Sequence, residues 1–97
     1  MYGTVARMKI KPGMEKQFKE FMTSETERKI PGMMKQYVYR MDKNPNEYYL
    51  VVMFKDRDSY VANADSPEMN AEYQRYRAML TEDPEWHDGE VILSETA

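Results

Sequence analysis

The chain has 97 residues, 32% of them charged, and a formal net charge of −3; one domain over residues 1–97 with a small core is expected, without the basic face a nucleic-acid partner needs. It has no cysteine and one histidine, His87, so disulfides, thiolate chemistry and a multi-histidine metal centre are excluded. No apolar run approaches the ~20 residues that span a bilayer, and Met1 to Lys11 alternates with charge rather than forming a leader, so a cytoplasmic protein without a membrane partner is expected.

Tyr2 to Ile10 alternates, with Tyr2, Thr4, Ala6, Met8 and Ile10 on one side and Gly3, Val5, Arg7 and Lys9 on the other, which predicts a strand. Pro12-Gly13 breaks it. From Met14 the period changes: Met14, Phe18, Phe21, Met22 and Glu25 recur at helical spacing with Lys, Glu and Gln between them, predicting an amphipathic helix. Glu25-Thr26-Glu27-Arg28-Lys29 has mixed sign and reads as a solvated face. Ile30-Pro31-Gly32 ends the helix, because a residue before proline leaves the helical region.

Met33 to Asp42 and Glu47 to Lys55 are predicted strands, joined as a hairpin by Lys43-Asn44-Pro45-Asn46. A short helix follows from about Arg57 to Ala64, opened by Asp56 or Asp58. Ser66-Pro67-Glu68 supplies a hydroxyl cap, a proline at the first helical position and an acid in the first turn. Met69, Tyr73, Tyr76 and Leu80 then repeat at helical spacing until Asp83-Pro84. His87 to Ser94, with Gly89 and Val91-Ile92-Leu93, is the predicted last strand.

The order β-α-β-β-α-β predicts a ferredoxin-like α+β fold, with the helices on one face of a four-stranded antiparallel sheet. Four strands at ~4.8 Å spacing make a sheet ~19 Å wide, and helices of ~10 Å diameter cover one of its faces only. Yet Tyr48-Tyr49-Leu50-Val51-Val52-Met53-Phe54 is apolar or aromatic on both sides of its strand. Val5, Tyr37 and Tyr39, and Val91 or Ile92, are expected to share the second face, which on the order of 400 Å² of apolar surface makes unfit for water. An RNA-binding sheet of this topology carries a basic-glycine-aromatic pattern on its third strand; Glu47 to Lys55 has no glycine. A second copy of the same chain covers such a face with no new partner.

Lys11-Pro12-Gly13-Met14-Glu15 followed by Phe18 and Phe21, and Pro31-Gly32 before the second strand, resemble junctions of the antibiotic biosynthesis monooxygenase family. So does the segment Phe54-Lys55-Asp56 through Asp58-Ser59-Tyr60-Val61-Ala62-Asn63 to Ser66-Pro67. The resemblance implies a homodimer whose sheets form a joint α/β barrel, with a pocket in each subunit between helices and sheet. It also implies oxidation of a small aromatic or quinol substrate without a cofactor or metal. Phe54 stands where many members carry tryptophan, and Asn63 where many carry histidine. A haem-degrading branch of the superfamily needs asparagine, tryptophan and histidine at the positions of Ala6, Asn63 and Tyr73, and none of the three is present.

A base, a few donors for a developing oxyanion and apolar walls suffice for such chemistry. The candidate catalytic residues are His87, Tyr73 and Asn63; the candidate substrate-binding residues are Phe54, Tyr60, Tyr76 and Phe21. Each has a structural alternative: an interface position for His87 beside Trp86, core packing for Tyr73, a turn-closing role for Asn63. Arg7, on the Val5 side, is expected in an ion pair across the dimer. A small-molecule-binding or structural homodimer of the same fold is the rival to an enzyme.

Overall fold

The computed structural model describes residues 1–25 and 29–97, with the backbone alone of Glu25. The expected solvated run at 25–29 therefore falls largely outside the described residues, as does the side chain that Glu25 adds to the helical stripe. The elements are β1 (Tyr2–Lys9), α1 (Glu15–Glu25), β2 (Met33–Arg40), β3 (Glu47–Phe54), α2 (Arg57–Ala64), α3 (Pro67–Arg77) and β4 (Glu85–Glu90). The strands form one antiparallel sheet in the order β2-β3-β1-β4, the ferredoxin-like arrangement.

Local chemistry sets the helix starts. The Asp56 side chain accepts from Ser59 N at 2.8 Å and caps α2. Ser66 accepts from Met69 N at 3.1 Å, with Pro67 beginning α3, so two donors that a helix leaves unpaired are satisfied. Gly32, just before β2, has φ +81°. A methyl group there would also fall 2.6 Å from Ser59 Cβ, so both backbone and space require glycine.

Strand alternation divides the sheet. Thr4, Ala6 and Met8 of β1 pair with Val52, Leu50 and Tyr48 of β3, and Thr4 and Ala6 also pair with Asp88 and Trp86 of β4. These side chains face the helices. Phe18 meets Tyr48 edge-on at 5.5 Å, and with Met8, Ile10, Phe54 and Leu80 it is fully buried. Truncating a buried phenylalanine such as Phe18 costs about 3–5 kcal/mol.

The other face carries Val5, Tyr49, Val51 and Met53, with Tyr37 and Tyr39 of β2 beside them. Tyr39 and Tyr49 stack at 5.8 Å, and Tyr37 and Tyr39 are 54% and 48% exposed. At one end Arg7 Nε donates to Glu47 Oε1 at 2.8 Å and lies 3.8 Å from Glu85. The ion pair expected across a dimer is thus made within the chain. The hydrogen bond to Glu47 raises the Arg7 guanidinium, and the same bond holds the Glu47 carboxyl below the usual range.

The last strand differs from the expected His87–Ser94. β4 pairs with β1 from Arg7 back to Tyr2, which places its residues at Glu85 to Glu90. After Glu90 only the Met1 carbonyl remains, and Val91 N donates to it at 2.9 Å. Ile92 and Leu93, with no strand left to pair, are 92% and 75% exposed.

Candidate functional site

The helices stand off the sheet on large side chains. Phe18 links α1 to β3, Tyr60 of α2 packs on Phe54 at 5.7 Å, and Tyr73 of α3 reaches Trp86 of β4 at 6.4 Å. Between these props the sheet floor is made of shorter side chains, Thr4, Leu50 and Val52. The result is a cavity of ≈ 690 Å³, within the size range of small-molecule sites. Met22, Met33 and Met69 complete its apolar walls, and Met34, Trp86 and Asp88, all exposed, lie at its rim.

Five of the seven sequence-nominated residues line this space: Asn63, Tyr73, Phe54, Tyr60 and Tyr76. His87 does not. Its register partner is Val5, so it points to the opposite face, where Nε2 lies 3.0 Å from Glu85 Oε1. Phe21 is also outside; its ring packs on Tyr76 at 6.4 Å and on the Arg75 guanidinium at 5.6 Å, closing the seam between α1 and α3.

The polar groups gather on two sides. On the sheet side Tyr60 Oη donates to Asp88 Oδ1 at 2.8 Å. Burial pushes the Tyr60 phenol up to about 12; the hydrogen bond to Asp88 and its charge add to this, and the neighbouring Thr4 hydroxyl opposes it. Thr4 Oγ1 is itself buried there and, among the described residues, makes no hydrogen bond of acceptable geometry. Because a buried hydroxyl without a partner is costly, the hydrogen bonding at this end is incomplete.

On the helix side, Met69, Glu72, Tyr73 and Tyr76 share the inner face of α3 at helical spacing, and Asn63 and Asn70 flank them. Tyr73 meets Tyr76 edge-on at 5.2 Å. Burial raises the Tyr76 phenol above the ordinary tyrosine range, with the charges of Tyr73 and Glu72 adding to the shift. Glu72, only 7% exposed, and Asp88 are the cavity's carboxylates, and both were missed in the sequence. Among the described residues no group of three or more His, Cys, Asp or Glu side chains is placed to hold a metal ion.

These features define a ferredoxin-like α+β protein with a ligand-sized chamber between helices and sheet. The chain belongs to the antibiotic biosynthesis monooxygenase family, which it matches over residues 1–79. No curated protein matches the chain. Among solved structures, a protein from Bordetella bronchiseptica described as a candidate antibiotic biosynthesis monooxygenase has a TM-score of 0.82 at 19% identity, covering 95% of this chain and 97% of that one. A conserved protein from Methanosarcina mazei Go1 has a TM-score of 0.82 at 21% identity, covering 91% and 89%. A variant of SnoaB, a cofactor-independent oxygenase from Streptomyces nogalater, has a TM-score of 0.83 at 16% identity, covering 96% and 94%. At these identities the likeness is one of fold. No helix among the described residues is long and apolar enough to cross a membrane.

Proposed function

We propose that this protein is a homodimeric, cofactor-independent monooxygenase acting on a small aromatic phenol or quinol held in the cavity. The observation that carries the reading is the chamber itself: ≈ 690 Å³, walled by Leu50, Val52, Phe54 and methionines, with the tyrosines Tyr60, Tyr73 and Tyr76 and the amides Asn63 and Asn70 in its lining. Fold alone would not support it, because one fold hosts many chemistries. The reaction replaces one ring C–H by C=O: the phenol loses a proton, its ring carbon adds O₂ to form a hydroperoxide, and loss of water leaves the quinone. One oxygen atom enters the ring, the other leaves as water, and the substrate supplies the electrons.

In this reading Asn63 and Tyr73 donate to the oxygen that gains charge as the proton leaves, and the apolar walls keep water from the carbanion. Phe54, Tyr60 and Tyr76 hold the ring. His87 and Phe21 have no part in the cavity, so neither is assigned a role there. The second copy covers the face formed by Val5, Tyr37, Tyr39, Tyr49, Val51 and Met53, giving the joint barrel.

Oxygen uptake with 1,4-dihydroxynaphthalene as probe tests the proposal. Wild-type protein is expected to exceed the rate in buffer, and Asn63→Ala and Tyr73→Phe each to lower it by about tenfold or more. Binding of the probe with no uptake above buffer would leave a binding protein in place of an enzyme. Uptake unchanged in both variants would remove the assigned site.

A further inference from the structure

The proposed oxidation begins with loss of the phenol's proton, so it needs a base at the cavity. The chain's single histidine is not that base, because His87 points to the opposite face of the sheet. Of the two described carboxylates in the lining, Glu72 is buried on α3 and engaged in an interaction of its own. Asp88 differs from both. Its register partner on β1 is Thr4, so it shares the cavity side of the sheet with Trp86, and it lies at the exposed rim. Its Oδ1 accepts the Tyr60 hydroxyl at 2.8 Å. Tyr60 packs in turn on Phe54 and Tyr2, with ring centres 5.7 and 5.3 Å away. The carboxylate is thus aimed by a side chain that is itself held. A carboxylate offers about four acceptor positions, so one bond fixes its orientation without consuming its basicity.

We infer that Asp88 is the catalytic base of the proposed reaction and that Tyr60 positions its carboxylate. This rests on the oxygenase reading above and deepens it. The O–H bond of the ring hydroxyl breaks, its electron pair stays with the ring, and the proton moves to Asp88. A carboxylate is a much weaker base than a phenolate, so the transfer is productive only where the oxygen left charged is stabilised. That is the task given above to Asn63 and Tyr73. At the rim, protonated Asp88 returns its proton to water. One proton leaves in this step and one is taken up when the ring-bound peroxide is protonated, so the overall balance, with O₂ as oxidant, is unchanged.

Trp86 is the chain's single tryptophan and lines the cavity beside Tyr73, so its fluorescence reports occupancy independently of turnover. The test measures oxygen uptake with 1,4-dihydroxynaphthalene and, under nitrogen, the Trp86 response to 1-naphthol, with calorimetry in parallel. Asp88→Asn keeps an oxygen for Tyr60 to bond but is no base. It is expected to lower kcat about 100-fold or more while binding 1-naphthol within about fivefold of wild type, because the amide oxygen still accepts the ring hydroxyl. Formate added to Asp88→Ala is expected to raise its rate at least about tenfold, a response that a merely structural aspartate would not give. Both variants are expected to fold, because this side chain is exposed. Tyr60→Phe leaves the carboxylate in place but unaimed and is expected to lower kcat about tenfold; an unchanged kcat would overturn the positioning role. Uptake by Asp88→Asn within about threefold of wild type would overturn the inference while leaving an oxygenase intact. So would loss of turnover matched by loss of binding and not relieved by formate. Wild-type uptake no faster than buffer would overturn the oxygenase reading itself, and this inference with it.

Discussion

Val51→Lys is the sharpest perturbation of the proposed dimer. Val51 lies mid-sheet, with Val5 and Tyr37 as its register partners on the open face. In a twofold dimer every substitution occurs twice. Each copy forfeits the burial of a valine, about 1.5–3 kcal/mol, and leaves an ammonium in an apolar layer without a partner, about 3–5 kcal/mol. Even with partial escape of the flexible stem toward water, two copies cost at least about 6 kcal/mol, or a dissociation constant weakened about 10⁴-fold. The subunit itself is expected to survive, because this face is half open to solvent before assembly. Sedimentation velocity from about 1 to 100 µM separates the outcomes by mass action: dimer for wild type, monomer for Val51→Lys, with unchanged circular dichroism. A variant that sediments as wild-type dimer would show that the partner sits elsewhere. Wild-type protein monomeric across the range would remove the barrel.

The face projects only about 400 Å² per copy, roughly half of what a standard interface contributes, so the exposed Ile92 and Leu93 are expected to add to it. Ile92→Ser with Leu93→Ser should weaken the dimer about tenfold or more without lowering subunit stability; unchanged association would confine the interface to the sheet. Gly32→Ala should lower the melting temperature by about 10 °C or more, because a positive φ and overlap with Ser59 combine. Gly13→Ala, with φ +87° but open space around it, should cost less, and equal losses would refute the role given to Ser59. The Tyr60 phenol, raised from 10 to about 12, favours the neutral form in the fold. Its contribution to stability is full below the unfolded value and is lost as pH rises from about 10 through about 12. Alkaline denaturation of Tyr60→Phe should therefore show a shallower fall over that window than wild type, and identical slopes would contradict the assignment.

Most of the fold was legible because its signals are local. Strand alternation, the Asp56 and Ser66 caps and the turn residues around Pro45 act over a few residues. The cavity was less so, and two misreadings show why. His87 was nominated as the one side chain whose ordinary pKa lies near neutrality; alternation separates it from Trp86 and Asp88, but only the long-range register, with His87 opposite Val5 and Trp86 and Asp88 opposite Ala6 and Thr4, decides which set faces the cavity. Glu72 was not nominated, although it lies three residues after Met69 and four before Tyr76, on the same side of α3. An acid at a core-facing helical position was the available signal. The emptiness between helices and sheet had none, since it depends on how far Phe18, Tyr60 and Tyr73 hold three separate elements away from Thr4, Leu50 and Val52.

One strand serves both proposed surfaces. Leu50, Val52 and Phe54 of β3 wall the cavity, while Tyr49, Val51 and Met53 form the open face. A register slip of one residue would exchange the two sets, so the pairing of β3 with β1 fixes site and interface together. The two sets of side chains lie on opposite sides of the sheet, which makes the two surfaces separable by experiment. Val51→Lys should lose the dimer and keep the Trp86 response to 1-naphthol within about threefold of wild type. Loss of that response in a folded monomer would show that the chamber takes its binding shape only when a twin braces the sheet from behind.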